Sequence, residues 1–333
     1  MTRLVQLQRG AARRVALVQE PHLLLLTGVY SVLAVATRAI ASNTRLVDLV
    51  AQLAHEEKLD YDSIYSGQSE WKLLPAVDHP AEPSRCLVSG TGLTHLGSAQ
   101  NRNTMHGKSE AEMTDSMKMF RSGMEGGRPA LGKIGIAPEW FYKGVGTILR
   151  AHGEALTVPP YAEDGGEEAE IAGVYVIGPD GQPHRVGMAL GNEFSDHKYE
   201  KRNYLHLASS KIRMCSIGPE LVIDPAFDQV PGTVTIERHG APFWTKAIAT
   251  GESEMCHSLA NIEHHHFKYE THRRPGDIHV HYYGACALSF GAGVELADGD
   301  VMSVHFTGFG RPLRNPLRVI PSNHSPIIVH PLA

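Results

Sequence analysis

Glu168 and Glu170 stand two residues apart, where the acidic run Glu167–Glu168–Ala169–Glu170 enters the apolar stretch IAGVYVIG. On a strand, alternation puts both carboxylates on one face and Ala169 on the other. Two neighbouring anions on a partly buried face repel one another and lose hydration, a cost that a cation removes. Oxygen-only ligands suit magnesium, with manganese or calcium as alternatives, better than zinc. A third carboxylate, Glu193, follows in GNEFSDHKYEKR. A hairpin turning at Gly178–Pro179–Asp180–Gly181 returns Glu193 beside the pair. Lys211, in SSKIRMCSIGPELV, supplies a positive charge that can offset the excess and grip a substrate carboxylate. Taken singly, an acidic turn and a lone lysine are ordinary surface features; their order and spacing carry the reading.

Other constellations are weaker. The run His264–His265–His266 suggests a transition metal, but consecutive helical positions point about 100° apart and cannot all ligate one ion. A solvated helix end with histidines near its C-terminus is the simpler expectation. Ser195 beside Asp196 lacks a nucleophile-elbow Gly-x-Ser-x-Gly, so Ser195 is expected as a helix N-cap. Cys86, Cys215, Cys256 and Cys286 form no CxxC pair, which points to reduced thiols in a cytoplasmic protein.

The elements that must position these groups follow from pattern. With 333 residues and a formal charge of −5, the chain has length for two domains and lacks the basic footprint of a nucleic-acid binder. The 33 glycines and 20 prolines fit short strands joined by tight turns. Residues 1–134 read as an α/β segment, with strands near Leu4–Leu7 and Arg14–Val18 and a helix over Thr44–Lys58. The apolar runs Leu23–Leu26 and Val29–Val35 read as a strand followed by a helix. Both fall short of the roughly 20 apolar residues that span a bilayer. Residues 96–130 are polar and read as a loop plus a helix over Ser109–Arg121, a possible lid. Residues 135–333 read as mainly β, with strands over Ala172–Ile177, His184–Leu190, Thr233–Arg238, Ile278–Tyr283 and Val301–Phe306. Helices near His197–Leu207 and Glu254–Lys268 interrupt them. The class is α+β.

In motif order, the chain resembles the fumarylacetoacetate hydrolase superfamily over roughly residues 135–320. The resemblance rests on the carboxylate-x-carboxylate pair, the Gly-Asn-acid-x-Ser-Asp segment, a lysine before a Gly-Pro turn, and the closing HRRPGDIHVHYYGACALSFGAGVELADGDVMSVHFTGFGRPLRNPL. It implies a mixed β-sandwich roll with a smaller N-terminal domain, a homodimer, Glu168, Glu170 and Glu193 as magnesium ligands, and Lys211 as a substrate or metal-shell lysine. Two departures stand out. Glu193 replaces the family's usual aspartate, and HVHYYGA replaces its Thr-Gly-Thr substrate turn.

A 2-keto acid can chelate magnesium through its carboxylate and keto oxygen, and the cation then stabilises the enolate formed at C3. The divergent N-terminal region and the strand around His281 resemble the sugar-acid branch of the family, which implies dehydration of a 2-keto-3-deoxypentonate to 2-oxoglutarate semialdehyde in non-phosphorylative pentose breakdown. Ser89, Lys211, His281 and Tyr283 are the substrate-binding candidates. His95 is the acid/base candidate, since a histidine and a glutamate of the hydrolases lie on a comparable segment; here Gln100 and Asn101 stand where that glutamate would. The alternatives are a C–C hydrolase of 2,4-diketo acids, an aldolase-type lyase releasing pyruvate, and a non-catalytic keto-acid-binding module. Magnesium-dependent turnover separates the last from the rest.

Overall fold

The computed structural model describes residues 1–100, 114–321 and 325–332. Among these, the strands form a twelve-stranded sheet and a five-stranded sheet. The chain opens with the antiparallel strands Thr2–Arg9 and Ala12–Gln19. Gly10, at φ 58°, supplies the left-handed residue that their two-residue turn needs. The interior of Thr2–Arg9 is buried on both faces. Leu4 packs in one core with Val32, Val35 and Leu49, whereas Val5 and Leu7 pack in another with Tyr61 and Trp71.

Thr2–Arg9 pairs with Cys215–Ile223, and Cys86–Gly92 lies between Ile278–Tyr282 and Glu139–Val145. The segments 1–134 and 135–333 therefore contribute strands to one sheet. At its centre run Ala169–Ile177 and Cys215–Ile223, buried along their whole lengths. The second sheet contains Ala241–Thr250, Val230–Arg238, Val301–Phe306, Leu313–Val319 and Leu156–Val158. Its Val234, Val304, Phe306 and Leu313 pack against Ile171, Met188, Leu190 and Val222 of the large sheet. A fully buried side chain of Phe306's size contributes about 1.5–3 kcal/mol. This apolar contact between sheets holds the strand that ends in the carboxylates.

Most expected elements are present, with informative exceptions. The helix expected over Thr44–Lys58 ends at Leu53, and Ala54–Asp60 is a strand paired with His22–Leu26. Backbone pairing with a neighbouring strand overrides helix propensity there. The His197–Leu207 helix is broken into a helix over His197–Arg202, a 3-10 turn over Tyr204–His206 and a helix over Leu207–Lys211. Asn203 lies between them in extended conformation, its side chain capping Leu205. The Glu254–Lys268 helix begins at Leu259, capped by Ser258. Of the expected Ser109–Arg121 helix, residues 109–113 lie outside the described residues; the observed helix is Asp115–Gly126, capped by Thr114. The part of the possible lid at 101–113 lies outside them too. No helix among the described residues is long and apolar enough to cross a membrane.

Candidate active site

The hairpin joining Ala169–Ile177 to Pro183–Asn192 turns through Gly178–Gly181, as expected. Its register pairs Ala169 with Asn192, and the Glu193 N–H donates to the Glu168 carbonyl at 2.9 Å. Pairing thus delivers Glu193 to Glu168 and Glu170. One carboxylate oxygen from each of the three lies within 4.8 Å of the others. All three residues are buried.

Two ammonium groups answer this charge. Lys211 Nζ donates to Glu168 Oε1 and to Glu193 Oε2. Lys143, on the strand Glu139–Val145, donates to Glu193 Oε1 and to the carbonyls of Glu193, Phe194 and Lys211. Ser195 Oγ lies 3.2 and 3.3 Å from the two Glu193 carboxylate oxygens. The expectation that Ser195 caps a helix is thereby corrected. Asp196 caps it, accepting from the Tyr199 N–H at 2.9 Å.

His197 Nε2 is 3.1 Å from Glu168 Oε1. Burial alone would push the Glu168 carboxyl up, but Lys211 and His197 outweigh it and hold the group well below its ordinary range. Glu170 behaves oppositely. Burial, then the charges of Glu193 and Glu168, raise it well above that range, while the Gly284 N–H supports one oxygen at 2.7 Å. Two ammonium groups leave three clustered carboxylates with surplus negative charge, expressed at Glu170. The site therefore fits one hard divalent cation on oxygen ligands, with magnesium first by donor type.

A small cavity of about 20 Å³ is lined by Glu168, Glu170 and Lys211 together with Gly92, Phe141 and Leu288. Larger hollows, such as the one beside Tyr65, His152 and Arg314, lie away from the three carboxylates. Not every expected site residue faces the cavity. Ala172 and Val174 share a core with Val280 and Tyr282, whereas Ile171 shares the opposite core with Tyr283. Alternation therefore puts Glu170 on one face of the sheet and His281 and Tyr283 on the other. There Tyr283 Oη meets Tyr175 Oη at 2.5 Å, and His281 is held by Ser89 at 2.9 Å and Thr91 at 2.7 Å. Ser89 thus faces His281. His95 is buried with its nitrogens at the hydroxyls of Thr94 (2.9 Å) and Thr250 (3.0 Å), and burial lowers it to about 4. Ser98, three residues on, lines the cavity; His95 does not.

Four residues complete the site beyond the sequence expectations: Lys143, His197, Glu200 and Glu139. Glu200 is buried and lines the cavity three residues after His197, the helical spacing that puts both on one side. Glu139 accepts from the Tyr204 hydroxyl at 3.0 Å and lies directly against Gly92. On Glu139–Val145, Glu139, Phe141 and Lys143 are buried and alternate with the exposed Trp140 and Tyr142, a period-2 signal readable in EWFYKGV.

A scan of protein-family models found no match, and neither did a search of curated proteins. Solved structures do match over nearly the whole length. A 2-keto-3-deoxy-D-arabinonate dehydratase in its apo form superposes with a TM-score of 0.70 at 17% identity, covering 96% of this chain and 99% of that one. The same dehydratase complexed with magnesium and 2,5-dioxopentanoate gives 0.69 at 18% identity, with the same coverage. A fumarylacetoacetate hydrolase from psychrophilic Exiguobacterium antarcticum gives 0.60 at 17% identity, covering 96% of this chain and 100% of that one. The chain has the fumarylacetoacetate hydrolase fold. A 5-carboxymethyl-2-hydroxymuconate delta-isomerase from Mycobacterium smegmatis shares that fold at a TM-score of 0.57 and 14% identity, covering 96% of this chain and all of the other. The fold thus carries dehydratase, hydrolase and isomerase chemistry, and the site must choose among them.

Proposed function

We propose that the chain is a magnesium-dependent dehydratase that converts a 2-keto-3-deoxypentonate to 2-oxoglutarate semialdehyde. One observation carries the reading: buried Glu168, Glu170 and Glu193 gather with Lys211, and Glu168, Glu170 and Lys211 line a small cavity. The likeness to a dehydratase complexed with magnesium and 2,5-dioxopentanoate, the same semialdehyde, supports it.

Glu168, Glu170 and Glu193 hold the cation. When bound, it stabilises the negative charge that develops on the keto oxygen. Lys211 binds the substrate carboxylate, and Phe141, whose ring centre lies 4.8 Å from the Lys211 ammonium, closes the cavity against water. Glu200 is positioned to take the C3 proton and return it to the C4 hydroxyl, which leaves as water. The resulting unsaturated keto acid tautomerises to the aldehyde. Glu200 thus takes the proton-transfer role expected of His95, whose nitrogens are held by threonine hydroxyls. The same reading makes the enzyme a cytoplasmic homodimer serving pentose breakdown.

A substrate panel tests this. Purified protein with magnesium should consume one isomer of 2-keto-3-deoxypentonate and leave 2,4-diketo acids intact. Cleavage of the diketo acids with the sugar acids untouched would assign C–C hydrolysis instead, and pyruvate from the sugar acid would assign an aldolase.

A further inference from the structure

A second cluster lies on the face of the large sheet opposite Glu170. His266 comes from the helix Leu259–Phe267, His272 from the 3-10 turn Glu270–His272 and His279 from the strand Ile278–Tyr282. One ring nitrogen from each lies within 4.8 Å of the others. Of the run His264–His265–His266, only His266 turns fully inward; His264 is exposed.

The hydrogen bonds of the cluster fix its tautomers. The indole N–H of Trp140 can only donate, and it points at His266 Nδ1 from 3.1 Å. His266 must then carry its proton on Nε2, which donates to His279 Nδ1 at 2.9 Å. His279 in turn carries its proton on Nε2. That nitrogen is buried and meets no acceptor in hydrogen-bonding geometry, although the His272 backbone is close. Meanwhile His272 Nδ1 donates to the His266 carbonyl at 2.6 Å, leaving its Nε2 lone pair available. A backbone carbonyl on the non-ligating nitrogen is how metal-binding histidines are commonly oriented.

We propose that His266, His272 and His279 form a second metal site, selective for a borderline transition-metal ion such as Zn2+, Co2+ or Ni2+. Three neutral imidazoles suit these ions, whereas magnesium prefers the oxygen ligands of the carboxylate centre. His281, with both nitrogens engaged by Ser89 and Thr91, packs against His266 and is not a fourth ligand. Binding moves the His266 proton from Nε2 to Nδ1, with no net proton release. That proton then opposes the Trp140 N–H, so the indole, 39% exposed, must turn outward. Trp140 is accordingly a competitor of the metal.

The test is a Co2+ titration of EDTA-stripped, full-length protein with magnesium in excess, read by visible absorption and tryptophan fluorescence. The expected result is one tetrahedral Co2+ per chain, bound at least tenfold more weakly by His272→Ala and severalfold more tightly by Trp140→Phe. Glu170→Gln should leave this binding intact. No Co2+ bound under excess magnesium, or binding lost in Glu170→Gln and unchanged in both His272→Ala and Trp140→Phe, would overturn the proposal.

Discussion

Lys143 lies fifty residues before Glu193 in the chain, yet its ammonium is fully buried against that carboxylate. It also donates to three carbonyls, those of Glu193, Phe194 and Lys211. Glu193 is therefore clamped by Lys143 on one oxygen and Lys211 on the other. Removing one member of a buried pair leaves an uncompensated charge, at about 3–5 kcal/mol. Lys143→Met should lose stability of that order in urea unfolding, and Lys143→Met with Glu193→Gln should recover part of it. Equal losses in the single and double variants would show that Glu193 does not depend on Lys143.

Glu170→Gln removes the carboxylate that carries the surplus charge. Magnesium binding should fall at least a hundredfold by calorimetry and turnover should fall with it, while the metal-free variant should melt no lower than the parent.

The pH dependence has a defined sign. Glu170, raised by burial and then by Glu193 and Glu168, contributes stability at low pH that is lost as pH rises through its elevated value. Glu193 is raised in the same direction. Glu168 is held low, so its contribution changes only at acidic pH. Metal-free protein should lose Tm as pH rises above the ordinary carboxylate range, and magnesium should raise Tm more at pH 8 than at pH 5. A magnesium effect that shrinks with pH would contradict this assignment.

His95 and Glu200 give opposite expectations. With both nitrogens at threonine hydroxyls, His95→Asn should cost about 1–3 kcal/mol of stability and leave turnover within severalfold. Glu200→Gln should lower kcat by about 100-fold or more with magnesium affinity unchanged. Reversed outcomes would return proton transfer to His95.

Much of this site was legible in the sequence because strand alternation and hairpin geometry are local. The spacing of Glu168 and Glu170, and the turn that returns Glu193, needed nothing beyond a period of two and a Gly-Pro-Asp-Gly loop. Alternation also bears on the substrate candidates: Tyr282, flanked by His281 and Tyr283, shares the face of Ala172, two residues from Glu170. Lys143 was harder to read. In EWFYKGV, a charged residue at each end of an aromatic pattern resembles an amphipathic edge strand, and only the fold shows that its charged face meets Glu193. The polar AHEEKLD continues the helical text of Leu46–Leu53, but its pairing with His22–Leu26 comes from distant chain. The histidine cluster draws on three separate elements and could not be assembled from the His264–His266 run alone.

The most direct measurement is the mass of the products formed from D- and L-2-keto-3-deoxypentonate by purified protein, with magnesium and then with EDTA. Loss of one water from one isomer, restored by magnesium and abolished by EDTA, is the predicted result. Unchanged sugar acid under both conditions, or water loss that persists in EDTA, would contradict it.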